Sequence, residues 1–109
     1  MNSFPDDFNR KTCSTIIETK EAELAKSCRQ QFYKDIVSAV NGCEKDVTLT
    51  FPEKLWGIYK KQIAEELLER FGEVQMCTIQ GTWTVTRCTT DKEDIPLNLK
   101  HIKITFISA

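Results

Sequence analysis

The chain has one histidine, His101, and five cysteines, Cys13, Cys28, Cys43, Cys77 and Cys88. These are the side chains that could form a thiol–imidazole pair or a zinc site. Their spacing argues against both. The cysteine number is odd, no Cys-x-x-Cys pair occurs, and wide separation is the pattern of free thiols in a reducing compartment. If residues 73–89 form a hairpin turning at Gln80-Gly81, Met76 faces Val85 and Thr78 faces Trp83. Cys88 then lies opposite Glu73, four residues along the strand from Cys77, or roughly 13 Å at ~3.3 Å per residue. Two ligands of one zinc cannot stand so far apart. A thiol- or metal-dependent enzyme using Cys77, Cys88 or His101 is therefore the weakest of three readings, and no metal or cofactor is expected.

Other chemistry fares no better. There is no glycine-rich phosphate loop and no Gly-x-Ser-x-Gly or His-Glu-x-x-His motif. The acidic pairs Asp6-Asp7, Glu65-Glu66 and Glu93-Asp94 lie in a tail, on diverging helical positions or in a loop, so none forms an acid/base pair. The sequence predicts a protein that is not an enzyme.

Fifteen basic and sixteen acidic residues leave a formal charge of −1, so no global field attracts nucleic acid. The plausible phosphate contacts are Lys54, Lys60, Lys61, Arg87, Lys100 and Lys103. No apolar run approaches the ~20 residues of a membrane span, and the N-terminus lacks the pattern of a secretory leader. A cytoplasmic location follows as the expectation.

The elements that must position these residues follow from periodicity. Residues 1–11 carry Pro5 and no apolar period, and are expected to be a flexible tail; residues 12–109 form one domain. Thr15 and Glu18 have capping-box spacing, and Ile17, Leu24, Cys28, Phe32, Ile36 and Ala39 recur at helical intervals until Asn41-Gly42. Val47, Leu49 and Phe51 alternate with threonines as a strand. Thr50, Pro52 and Glu53 then predict a second helix ending at Phe71-Gly72, with Trp56, Tyr59, Ile63, Leu67 and Phe71 as its stripe. The hairpin follows, then a charged loop, then a strand with Ile102, Ile104 and Phe106 on one side.

The expected fold is thus a two-layer α+β domain of order α-β-α-β-β-β. Its four-stranded sheet is mixed, with the first strand parallel to the second, the last three in a meander, and two helices on one face. Two surfaces emerge as partner-binding candidates. On helix two, Leu55, Ile58 and Tyr59 form an apolar cluster beside Lys60 and Lys61. On the outer sheet face, Thr48, Thr50, Cys77, Thr82, Thr84, Thr86 and Thr105 form a flat surface with Lys103 and His101 at one end, while Trp83 falls on the buried side. Either sheet edge could also augment another sheet.

The layout of residues 15–108 resembles small accessory proteins of bacteriophages and other large DNA viruses, which implies action on a partner in the host cytoplasm. The leading expectation is a non-enzymatic interaction protein that binds another protein or itself. A nucleic-acid-binding module is the next alternative.

Overall fold

The computed structural model describes residues 4–87 and 95–107. The elements run α1 (Arg10–Asn41), β1 (Asp46–Thr50), α2 (Gly57–Phe71), β2 (Glu73–Thr78), β3 (Trp83–Arg87) and β4 (Leu99–Thr105). The α+β class and the element order are those the sequence predicts. The sheet, however, is antiparallel throughout, in the order β1-β4-β2-β3. β1 and β2 do run in the same direction, but β4 inserts between them and pairs with both. A mixed sheet and a three-strand meander are both replaced by this one insertion.

Helix α1 starts before the expected Thr15 cap. Asn9 is the N-cap, its Oδ1 accepting from the Thr12 N–H at 3.0 Å. The helix therefore takes in Arg10 and Lys11 from the expected tail. Thr15 lies inside it, with its hydroxyl donating back to the Lys11 carbonyl at 2.9 Å. At the far end Cys43 N–H donates to Val40 O and Glu44 N–H to Ala39 O, the two bonds of a Schellman cap. The left-handed residue of that cap is Cys43, at φ 60°, and not the neighbouring glycine.

Helix α2 starts later than the sequence suggests. The Thr50 hydroxyl is engaged with His101 and is not free to cap, while Phe51 N–H still pairs with Lys100 O as an extension of the strand. Residues Pro52 to Leu55 make a turn instead. Trp56 is the N-cap and has no capping side chain of its own, and Glu21 of α1 accepts its N–H at 3.2 Å. Gly57 permits a close approach here, because a Cβ at this position would sit 2.6 Å from Leu97 O.

One cluster of buried side chains includes residues from both helices and from the sheet. Ala25, Cys28 and Phe32 come from α1; Ile63, Ala64, Leu67 and Leu68 from α2; Leu49, Val74, Met76, Ile102 and Ile104 from the strands. Phe32 meets Phe51 edge-on at 5.1 Å. In β4 the sequence Leu99-Lys100-His101-Ile102 breaks simple alternation, and the structure resolves it with a register shift against β2 between Cys77 and Thr78. The shift turns Leu99 into the core and leaves Lys100 in solvent.

The hairpin register differs by one residue from the expected one. Gly81 N–H donates to Thr78 O, Thr78 N–H donates to Thr82 O, and Gly81 adopts φ +84°. That is a three-residue loop with glycine in its left-handed position. Met76 therefore faces Thr84 and Cys77 faces Trp83. Because side chains alternate with period two, the slip sends every β3 side chain to the opposite face.

Candidate functional site

The outer face of the sheet has its residues fixed by register. One row across all four strands reads Thr50, His101, Cys77, Trp83, and the next reads Thr48, Lys103, Gln75, Val85. Asp46 with Thr105, and Glu73 with Arg87, follow at the end. Thr48, Thr50 and Thr105 lie on this face as expected. Thr82, Thr84 and Thr86 do not, since they have the opposite parity, and Thr86 is buried. Their places are taken by Trp83 and Val85, which are 49% and 44% exposed. The expectation that Trp83 is buried is thus overturned.

The upper row is a connected structure. The His101 Nδ1 and Thr50 Oγ1 share a hydrogen bond at 2.9 Å. On its other side the imidazole stacks on Trp83, with ring centroids 6.2 Å apart and planes 9° from parallel. Strands β3 and β4 are separated by β2, hence by about 9.6 Å at ~4.8 Å per strand, so the two rings lean together over β2. Beneath them lies Cys77, only 4% exposed on a face whose other residues are exposed or half-buried.

Cys77 and His101 share this face, as expected, and the register sets them directly opposite one another. The thiol points its hydrogen bond at Thr78 O, 3.4 Å away. Cys88 lies outside the described residues, and so do Glu93 and Asp94. Among the described residues no three His, Cys, Asp or Glu side chains gather to hold a metal. Cys13, Cys28, Cys43 and Cys77 are free thiols.

Charge on this face is balanced locally. Arg87 pairs with Glu73 at 3.0 Å, and Lys103 lies 3.7 Å from Asp46. The candidate phosphate contacts come from separate elements: Lys54 precedes α2, Lys60 and Lys61 lie on it, Lys100 is exposed at the register shift of β4, and Arg87 and Lys103 share the outer face.

The helix-two cluster is largely consumed by packing. Leu55 lies before the helix and is 3% exposed, Lys60 is buried, and Tyr59 and Lys61 are half-buried. Tyr59 stacks with Trp56 at 6.1 Å. Only Ile58 stands well out, at 51% exposure. The cluster fails as a surface because Leu55 belongs to a turn and not to the helical projection.

A groove of about 430 Å³ separates α1 from α2, floored by Phe32, Ile36, Ile63, Leu67 and Phe71. Arg29 and Glu66 close over it with two hydrogen bonds, at 2.9 and 3.1 Å. It holds no nucleophile beside a base. No helix among the described residues is long and apolar enough to cross a membrane. No family model matches the chain, and no curated protein or solved structure is significantly similar to it.

Proposed function

We propose that the protein is a small, non-catalytic interaction module that docks a partner protein on its outer sheet face, around Trp83 and Val85. The observation that carries this reading is the exposure of an aromatic and a branched aliphatic side chain, side by side, on a face whose charges are already paired. Trp is the residue type most enriched among energetic centres of protein interfaces. A rigid indole held against His101 loses little rotamer freedom on binding. The ion pairs Arg87–Glu73 and Lys103–Asp46 leave a near-neutral rim, which favours a protein over a polyanion. Free thiols fit a cytoplasmic setting.

The test is capture of partners from the native host with the wild-type chain as bait. Trp83→Asp is expected to lose a specifically captured protein that Ile58→Asp, on helix two, retains. Loss with Ile58→Asp and retention with Trp83→Asp would overturn the assignment of the face.

One observation favours a second reading. The stacked planes of Trp83 and His101 offer a platform of the kind that single-stranded nucleic acid uses. Quenching of indole emission by an oligonucleotide, with affinity falling steeply as salt rises, would select it.

A further inference from the structure

The open edge of β3 carries a second kind of information, held in its backbone and separate from the pleat face. Thr78 N–H donates to Thr82 O, so residues 78 and 82 form a hydrogen-bonded pair of the β2–β3 ladder. Such pairs alternate along an antiparallel ladder. The backbone groups of Thr84 and Thr86 therefore point to β2, and those of Trp83, Val85 and Arg87 point outward. No described residue pairs with them, since β3 is the last strand of the sheet.

Edge strands of monomeric proteins usually carry a guard, such as a lysine, a proline, a bulge or a short length. The other edge has such guards: β1 begins at Asp46 behind Lys45 and gives way to Pro52. The one charge in β3, Arg87 at its end, is paired with Glu73, and the run Thr82-Trp83-Thr84-Val85-Thr86 holds no charge, proline or glycine. All of its residue types favour strands.

The sequence of β3, Trp-Thr-Val-Thr-Arg, is also complementary to itself when reversed. We propose that two copies of this chain pair antiparallel through their β3 edges about a two-fold axis at Val85, joining two sheets into one. In that register Val85 faces Val85 of the second copy and Trp83 faces its Arg87. Thr84 faces its Thr86 on the opposite side. All three outward-pointing residues of each strand are then matched, giving about six main-chain hydrogen bonds. A slip of one residue sets outward groups against inward ones, and a slip of two leaves one residue of each strand unmatched.

Side-chain chemistry agrees with the same register. A guanidinium facing an indole is a favourable cation–π contact. In the single chain Arg87 pairs with Glu73 on the β2 side, and its guanidinium turns across the edge to make this contact. The contact is isologous and closes at two copies. Pairing β3 with β1 of the next copy would instead grow without end, and the guards on β1 oppose it.

Sedimentation equilibrium of the full chain from low micromolar to millimolar concentration tests the pairing. The wild type is expected to approach twice the monomer mass, with indole emission shifting to the blue as Trp83 is covered. Val85→Pro is expected to remain at monomer mass with an unchanged circular dichroism spectrum, because the N–H it removes points away from β2. Val85→Lys supplies an edge guard without altering the backbone and is expected to be monomeric as well. A wild type that stays monomeric throughout overturns the proposal, as do a dimer that survives both substitutions and growth beyond two copies. The proposal stands apart from partner docking: Trp83→Asp removes the docking anchor and leaves every outward N–H of β3 in place, so a Trp83→Asp chain that still dimerises but captures no partner separates the two surfaces.

Discussion

Trp83 and His101 stack at 6.2 Å across an intervening strand and roof over Cys77. Removing the indole leaves the strands intact and opens the thiol. Trp83→Ala is expected to speed alkylation of Cys77 severalfold, with the exposed Cys43 as internal reference. Peptide-resolved labelling by mass spectrometry reads this directly, and an unchanged Cys77 rate would mean that the rings do not shield it.

Cys43 holds the left-handed position of the Schellman cap that ends α1. An L-residue with a Cβ pays about 1–2 kcal/mol for that conformation and glycine does not. Cys43→Gly is expected to raise the unfolding free energy by about 1 kcal/mol in urea titrations, the greater freedom of glycine in the unfolded chain offsetting part of the gain.

Cys28 lies in the core, where burial pushes its pKa up from 9.0 to about 11 against the opposing charges of Arg29 and Lys60. The folded state thus holds the thiol proton more tightly than the unfolded chain. Stability from this group is complete below pH 9 and is lost as pH rises through about 11. Cys28→Ala is expected to flatten the fall in stability over that window, measured against the wild type in parallel denaturant titrations.

Gly57→Ala is expected to destabilise the fold by about 1–3 kcal/mol, the usual cost of overpacking. The added Cβ would meet Leu97 O at 2.6 Å and Leu97 Cβ at 2.9 Å, both close to the main chain. Thermal unfolding of this variant beside Gly42→Ala, whose nearest neighbour would stand at 3.3 Å and which has ordinary φ, separates contact from helix propensity.

The element order could be read from the sequence wherever one face of a strand or helix is uniformly apolar. Val47, Leu49 and Phe51 are such a face, as are Ile102 and Ile104, and the end of α2 at Phe71 follows from Gly72. The outer face could be read only in part, since Thr48, Thr50, His101, Lys103 and Thr105 sit where alternation puts them. Alternation misleads in β3. Trp83 and Val85 are the apolar residues there and point to solvent, because register is set by the turn and not by hydrophobicity. The one available signal was Gly81, whose left-handed conformation closes a loop of three residues and not two. Sheet order was beyond reach for a different reason: the insertion of β4 between β1 and β2 depends on pairing between residues about fifty positions apart, as Thr50 and His101 are.

Helix α1 is 32 residues long, about 48 Å at 1.5 Å per residue, yet its first buried side chain is Ala25. The overall extents of 71 × 30 × 23 Å reflect this projection. Forming the first turn of a helix is the costly step, and adding further turns is nearly neutral. The packed segment from Ala25 to Phe32 supplies the nucleus, so the free arm needs only propagation. Its residues are poorly suited even to that: Thr12, Thr15, Ile16 and Ile17 are β-branched, and Arg10 and Lys11 oppose the helix dipole at the amino end. The arm is therefore a zipper held closed from one end, whose length at a given temperature is set by how far coil has advanced from Asn9 toward the core.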